Sequence, residues 1–235
     1  MRRIPPFSLG VAAGLVVLAA LVVVLAVAAG SPRTDTGTAG RASSPAPTPG
    51  TARVAFYGDS YTLGTGASTP EKRWSTIICR ERGWTEFNPS VNGLGFVNNR
   101  STLGADLITP IIAARPDIVF VTMGLNDNFA YDYAADDIRK AITADLTALK
   151  TALPAARFLV VEPFWYTDVK PVSFGVIAGW VREAAAAIRA DYIPGASGWL
   201  TGHPEWMAAD GLHPNDAGYA EMARRMNAEL ALLGL

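Results

Sequence analysis

The sequence predicts an α/β fold of three layers, in which helices cover both faces of a mostly parallel central sheet. Short apolar runs typical of buried strands occur at 53–57, 117–123 and 157–162. Segments with helical periodicity lie between and after them. Strands that alternate with helices in this way pair in parallel, and ligands then bind beyond the carboxyl ends of the strands.

The first half of the folded part begins with the strand at 53–57, which leads into a Gly-Asp-Ser turn. A short helix is predicted at 74–82, and a weaker strand at 85–87. Residues 103–114 are apolar at helical spacing, but Pro110 should break or kink this helix because proline lacks an amide hydrogen.

The second half contains the clearest strand, at 117–123. An amphipathic helix with an acidic start is predicted at 136–153, and another buried strand at 157–162. The remaining long helices are predicted at 174–190 and 216–233.

A nucleophile and its base occur in two short motifs far apart in the chain. Ser60 ends the motif Gly58-Asp-Ser60, directly after the first strand, and His213 ends the motif Asp210-Gly-Leu-His213. A serine hydroxyl needs an imidazole to accept its proton and a carboxylate to hold that imidazole in the right tautomer.

Asp210 lies three residues before His213, so its carboxylate can reach the far nitrogen of the ring, whereas the other histidine, His203, has Leu200 at that offset. We therefore predict Ser60 as nucleophile, His213 as base and Asp210 as the orienting acid. His203 is predicted to be a loop or surface residue.

Two further segments contain groups suited to stabilising an oxyanion. Asn88-Pro-Ser-Val-Asn-Gly93 offers a glycine that a substrate can approach closely, and Gly124-Leu-Asn126 offers an amide just after a strand. With the N–H of Ser60 these make three donors. Gly95 is the alternative to Gly93. Asp127 is expected to support its loop rather than to react.

These four motifs, in this order, resemble the SGNH (GDSL-type) hydrolase family, and the resemblance covers residues 52–235. It implies the flavodoxin-like SGNH fold and a carboxylic ester hydrolase that needs no cofactor. It also implies that Ser60, Asp210 and His213 form the catalytic triad. Ser60, Gly93 and Asn126 would form the oxyanion hole, since an Asn followed five residues later by Gly is the family pattern.

Simpler explanations exist for each motif. Gly, Asp and Ser are common turn residues, and the His213 motif could be a loop before a helix capped by Asn215 or Asp216, a role compatible with catalysis. Several aromatic residues could line an acyl or sugar pocket or could pack in the core; they are Phe96, Phe129, Tyr131, Trp165 and Trp199.

Composition narrows the class of partner. Residues 52–235 carry a net charge of −4 with no stripe of Lys and Arg, which argues against nucleic acid as a partner. Cys79 is the only cysteine and is predicted to be a packing residue. No Cys or His pair has metal-ligand spacing, so no metal site is predicted. No oligomeric state is predicted.

The N-terminal part predicts export. Arg2 and Arg3 precede an uncharged run of 21 residues, 9–29, which as a helix would span about 31 Å. The preferred interpretation is a signal-anchor in residues 1–30, with a single membrane span and the domain at 52–235 outside the cell. The alternative is a signal peptide cleaved near Ala26-Val-Ala28, which would give a secreted protein.

Residues 31–51 are rich in Pro, Ser, Thr and Gly and are predicted to be a linker that does not fold. The complete prediction is an exported, membrane-tethered serine esterase whose expected substrate is an acetylated envelope glycan or a small acyl ester. A lysophospholipase or lipase, an acyltransferase, and a non-catalytic envelope-binding domain are the alternatives.

Overall fold

A computed structural model describes residues 51–235 of the chain. Within them the chain forms five strands and seven α-helices. The strands are β1 (Arg53–Tyr57), β2 (Thr85–Phe87), β3 (Ile118–Val121), β4 (Arg157–Val161) and β5 (Asp191–Ile193). The helices are α1 (Ser60–Leu63), α2 (Trp74–Arg82), α3 (Arg100–Leu103), α4 (Ile108–Ala114), α5 (Tyr131–Ala152), α6 (Val172–Ala187) and α7 (Asp216–Leu232). Short 3₁₀ turns lie at Pro70–Lys72, Asn126–Ala130, Ala196–Gly198 and Pro204–Trp206.

The strands form one parallel sheet in the order β2-β1-β3-β4-β5. The chain runs from β1 outward to β2 and then returns to β3 on the other side of β1. In sheets of this flavodoxin-like order, ligands bind at the carboxyl ends of β1 and β3, where the direction of winding changes. β1 therefore starts at the amino edge of the sheet, with Arg53, and ends at the edge where a site is expected.

Alternate residues of each strand face opposite layers. Val54 and Phe56 of β1 pack in a core cluster with side chains of α2 and α7. Ala55 and Tyr57 belong to the other cluster, which includes side chains of α4, α5 and α6. Both clusters are almost wholly buried, as period-two strands covered on both sides require. The predicted three-layer α/β/α fold is confirmed.

Several predicted elements match the structure closely. The first strand, the helix at 74–82 and the strand at 85–87 have the predicted bounds, and the long helices 174–190 and 216–233 differ by at most three residues at either end from α6 and α7. The predicted strands 117–123 and 157–162 are slightly shorter in the structure.

The predicted effect of Pro110 was wrong in its position. The helix is interrupted at residues 104–107: Gly104, with φ +57°, ends α3, and α4 begins at Ile108. Pro110 is the third residue of α4, where no intrahelical acceptor is available for an amide hydrogen, so proline is tolerated. Asp106 accepts from the N–H groups of Ile108 and Thr109 at 2.9 and 3.2 Å and starts the helix.

The helix predicted at 136–153 begins earlier, at Tyr131, and is bent at Ala134, whose φ is −133°. β5 was not predicted at all. It has only three residues, and the sequence Asp-Tyr-Ile lacks the apolar run that marked the inner strands.

The predictions for residues 1–50, an anchor or signal peptide followed by most of the linker, lie outside the described residues. Between Thr51 and Leu235, every helix is too short or too polar to span a bilayer.

Candidate active site

Ser60 is the first residue of α1 and follows β1 by two residues. The turn that presents it is tightly packed: a Cβ on Gly58 would lie 2.5 Å from Thr122 Oγ1 and 2.6 Å from Thr62 Cβ, so a larger residue does not fit. Asp59 caps the helix, because its Oδ1 accepts from the Tyr61 N–H at 3.0 Å. Ser60 is 4 % exposed and lies at the carboxyl end of β1.

His213 and Asp210 form the predicted pair. His213 Nδ1 and Asp210 Oδ2 are 2.7 Å apart, so the carboxylate can hold the proton on Nδ1 and leave Nε2 as the base. Asp210 Oδ1 also accepts from the backbone N–H groups of Leu212 and His213, each at 2.9 Å. The acid thus fixes both the ring and the backbone that carries it.

Asp210 is ionised under most conditions. The hydrogen bond from the His213 side chain, together with those from the two backbone N–H groups, lowers the pKa of Asp210 to about 2. Its side chain is about half exposed, so water also stabilises the charge.

The loop that carries His213 is held from both sides. Pro214 forms an isolated antiparallel bridge with Met207, and the His213 carbonyl accepts from the Ala208 N–H at 2.7 Å. Asn215 caps α7 by accepting from the N–H groups of its first turn at 2.9 and 3.1 Å. The loop is therefore both a presenting loop and a helix start, as predicted, and Asn215 rather than Asp216 is the cap.

The nucleophile turn and the histidine loop are joined by Tyr61, a residue that the sequence analysis did not single out. Its hydroxyl donates to the Leu212 carbonyl at 2.7 Å, and its ring lies 6.0 Å from the His213 ring between centroids. Because Tyr61 follows Ser60 and Leu212 precedes His213, this bond places the two motifs side by side. A tyrosine directly after the serine was the only sequence signal for it.

The Asn126 amide lies at the carboxyl end of β3, next to the same turn. Its Nδ2 donates to the Leu94 carbonyl at 3.0 Å and lies 3.4 Å from Asp59 Oδ2. Leu94 follows Gly93 in the chain. The Asn126 side chain therefore contacts both other segments from which oxyanion donors were predicted.

The backbone distinguishes Gly93 from Gly95. Gly95 donates its N–H to the Asn98 carbonyl at 2.9 Å, whereas the Gly93 N–H has no acceptor among residues 51–235. Gly93 also has φ +72°, a conformation that favours glycine. A Cβ on Gly95 would lie 2.6 Å from the Asp127 carboxylate, so this glycine is needed for packing. The free donor is the one on Gly93.

Asp127 supports the loop, as expected. Its buried carboxylate accepts from the backbone N–H groups of Phe96, Val97 and Asn98 at 2.7, 2.8 and 3.2 Å. Burial raises the pKa of Asp127, and these three bonds oppose that rise. The carboxylate thus fixes the loop that follows Gly93.

The side chain of the other histidine, His203, has partners outside the triad. His203 Nδ1 is 2.7 Å from the exposed Glu205 Oε1, and its ring stacks on Trp206 with centroids 3.6 Å apart. Among the aromatic residues considered for a pocket, Phe96, Trp165 and Trp199 are buried, Tyr131 stacks on Trp180, and Phe129 is 54 % exposed. The buried ones are packing residues.

Cys79 lies in the core cluster that includes side chains of α2 and α7. Burial raises the pKa of the Cys79 thiol, in agreement with a packing role. Between residues 51 and 235, His, Cys, Asp and Glu side chains form no group of three that could hold a metal ion.

A parallel sheet that presents a serine turn, a His–Asp pair and an amide at one edge defines a serine-type hydrolase. The family model described as the GDSL-like Lipase/Acylhydrolase family matches residues 56–221. The chain belongs to this family and is a carboxylic ester hydrolase.

Similar proteins agree with the fold. GDSL lipase Rv0518 of Mycobacterium tuberculosis is 26 % identical over 184 residues, which are 74 % of this chain and 79 % of that protein. The crystal structure of the psychrotrophic esterase EstA from Pseudoalteromonas sp., inhibited by monoethylphosphonate, superposes with a TM-score of 0.60 at 15 % identity, covering 77 % of this chain and 98 % of EstA. A variant of Axe2, an acetyl-xylooligosaccharide esterase from a Geobacillus species, superposes with a TM-score of 0.57 at 18 % identity, covering 76 % and 93 %.

Proposed function

We propose that this chain hydrolyses carboxylic esters by a Ser60–His213–Asp210 acyl-enzyme mechanism. The observation that carries the proposal is the Tyr61–Leu212 hydrogen bond, because it brings the serine turn beside a histidine already paired with an acid. The three candidate oxyanion donors come from segments that contact one another at the same edge of the sheet.

The reaction would proceed in two halves. Ser60 Oγ attacks the ester carbonyl while His213 Nε2 takes its proton, and Asp210 stabilises the imidazolium. The carbonyl oxygen becomes negative and is held by the N–H groups of Ser60 and Gly93 and by Asn126 Nδ2. His213 then protonates the leaving alcohol, and the acyl group stays on Ser60. Water, deprotonated by His213, attacks the acyl-enzyme and releases the acid.

The domain is proposed to lie outside the cell, tethered to the membrane. The basic start, the apolar run at 9–29 and the Pro-rich linker that follows support this arrangement. Fractionation of cells that produce the full chain, followed by protease treatment of intact spheroplasts, tests it. We expect membrane-bound protein whose catalytic domain is digested from outside. Protein of reduced mass in the medium would instead support a cleaved signal peptide.

The proposed substrate is a small acyl ester, such as acetyl on an envelope glycan. The resemblance to a structure described as an acetyl-xylooligosaccharide esterase supports an acetylated carbohydrate. The experiment is hydrolysis of p-nitrophenyl esters of increasing acyl length by the purified full chain, with Ser60→Ala as a matched control. We expect serine-dependent turnover that is highest on acetyl. Turnover that survives Ser60→Ala would remove Ser60 as the nucleophile.

An apolar rim favours a second candidate, a lysophospholipase or lipase. We define the rim as Phe129, Tyr133, Val169 and Val172, which are 54, 79, 82 and 86 % exposed. Ser173 Oγ and Asn128 Oδ1 are 2.7 Å apart, which joins the segments that carry Val172 and Phe129. Phe129 lies three residues after Asn126 in the chain. Such exposed apolar side chains suit contact with an acyl chain or a lipid surface.

The rim can be tested with Phe129→Ser/Val172→Ser, compared with Leu232→Ser on the distant end of α7. If the substrate is a lipid, the double variant should lose activity on dodecanoyl and lysophospholipid substrates by about tenfold and keep its activity on acetyl, since each apolar contact contributes about 1 kcal/mol. Equal activity of all variants on long chains would leave the small-acyl proposal in place.

A further inference from the structure

Asp59 is the middle residue of the serine turn, and its buried side chain faces Asn126 in the loop after β3. One of its carboxylate oxygens accepts from the Tyr61 N–H at 3.0 Å, and the other lies 3.4 Å from Asn126 Nδ2. The residue is 1 % exposed. A single carboxyl group therefore contacts both the helix that carries the nucleophile and the amide proposed for the oxyanion hole.

The Asn126 amide is fixed on its other side by the Leu94 carbonyl, at 3.0 Å. With one acceptor on each side, the amide plane has a defined orientation before any substrate is bound. Donors that are oriented before the reaction are the ones that stabilise an oxyanion effectively, since no reorganisation is then needed in the transition state.

The two hydrogens of the Asn126 amide are held with different strength. The bond to Leu94 has the length of an ordinary N–H···O hydrogen bond, about 2.9 to 3.0 Å. The 3.4 Å separation from Asp59 is longer than the usual upper length of about 3.2 Å, so this hydrogen is held weakly. A carbonyl oxygen that becomes negative beside Ser60 can take it over.

Capping alone does not explain a carboxyl group at this position. Asn and Ser cap helices about as well as Asp, and neither carries a charge that must be buried. Burial raises the pKa of Asp59 to about 7, and the nearby charge of Asp127 contributes to the rise. The side chain is thus costly as a cap, and its second oxygen faces the Asn126 amide.

We propose that Asp59 is a positioning residue for ester hydrolysis: it sets the orientation of the Asn126 amide and, through it, the oxyanion hole. This inference rests on the proposed function. It predicts that Asp59 affects the turnover step and acts only when Asn126 is present.

The test is a double-mutant cycle of Asp59→Asn and Asn126→Ala in the full-length protein, with p-nitrophenyl acetate as substrate. Asp59→Asn keeps an oxygen for the Tyr61 N–H but turns an NH₂ group toward the Asn126 NH₂, so the amide loses its acceptor. We expect kcat to fall about 10- to 100-fold with KM within about twofold. In the Asn126→Ala background the same change should lower kcat by less than about threefold.

Thr122→Val is the matched control, because it removes a different buried hydrogen bond at the same turn, the 2.7 Å contact between Thr122 and Thr62. It should lower the melting temperature and leave kcat within about threefold in both backgrounds. Asp59→Asn should melt no lower than the parent, which separates positioning from folding.

Equal losses of kcat from Asp59→Asn in both backgrounds would overturn the positioning role and leave the proposed function intact. Full turnover in Ser60→Ala would instead overturn the proposed function and, with it, the role of Asp59. The two failures are therefore distinguished within one set of proteins.

Discussion

Three side chains of this chain carry the chemistry in the proposed mechanism, and each has a separate role. Ser60→Ala and His213→Ala should each lower kcat by about 10⁴-fold or more, since nucleophile and base act as a unit. His203→Ala should stay within about twofold, because the His203 side chain is paired with Glu205, outside the triad. Steady-state kinetics with circular dichroism measures both turnover and folding. Full activity of His213→Ala would contradict the triad.

Asp210→Asn should lower kcat by about 10² to 10⁴-fold. Measurable turnover should remain, because the side-chain oxygen can still accept from the backbone N–H groups of Leu212 and His213 and shape the loop. The pKa of Asp210 is lowered to about 2, so the acid stays charged at all pH values at which the protein would be assayed. An acidic fall in the kcat of the parent near pH 5 is therefore not expected to come from Asp210. Steady-state kinetics on both proteins measures the loss, and a kcat of Asp210→Asn equal to that of the parent would contradict the orienting role of Asp210.

The buried Asp59 makes stability depend on pH in an unusual direction. Its pKa is raised from 3.8 to about 7, so between these values the native state binds more protons than the unfolded state and stability falls as pH rises. Asp59→Asn has no carboxyl group at this position and lacks this loss of stability. The free energy of unfolding of the variant should therefore rise relative to the parent between pH 4 and 7, and the gain should reach about 1 to 4 kcal/mol above pH 7. Urea unfolding at pH 4.5 and 8 measures the gain; an equal difference at both values would contradict it.

At the scale of elements, close backbone packing holds the histidine loop against the turn after α1. A Cβ on Gly66 would lie 2.4 Å from the Pro214 carbonyl oxygen and 3.1 Å from His213 Cβ. Gly66→Ala should therefore destabilise the protein by about 2 to 4 kcal/mol and lower kcat by moving His213.

Gly202→Ala is the control for this effect, since Gly202 also has a positive φ, +78°, but its Cβ would meet nothing within 4 Å. Gly202→Ala should lower the free energy of unfolding by about 1 kcal/mol and leave kcat unchanged. Thermal melts and kinetics on both variants give the comparison. Equal losses in the two would mean that backbone strain, and not the contact with the loop, is responsible.

The inner strands were predictable from the sequence because both of their faces are buried. This makes β3 apolar throughout, and β1 and β4 apolar after their first residues, Arg53 and Arg157. β5 was missed because a short edge strand has no such run. The effect of Pro110 was predicted incorrectly because it depends on where α4 begins. Asp106 fixes that start by accepting from the Ile108 N–H through its side chain. The site residues could be proposed from motif order, whereas the roles of Tyr61 and Asp59 depend on contacts that no spacing encodes.

At the scale of the whole molecule, stability rests on two buried clusters, one on each face of the sheet. Cys79 is the only cysteine and is buried, so the chain has no internal disulfide. Dithiothreitol should leave the melting temperature unchanged, and a thiol reagent should react with Cys79 only after denaturation. A melting temperature that falls by several degrees in reductant would indicate a covalent link between two chains.

The direction of β1 has a practical consequence. Arg53 starts this five-residue strand at the amino edge of the sheet. Tyr57 ends the strand about 13 Å away, at roughly 3.3 Å per residue, and Ser60 follows that end. Any attachment made through residue 51, whether to a fusion partner, a resin or a chip, is therefore made at the base of the sheet. The domain is then held by the amino edge of the sheet, and the carboxyl edge, which carries Ser60, faces away from the support. A polymeric substrate that is too large to enter a matrix can therefore still reach the serine.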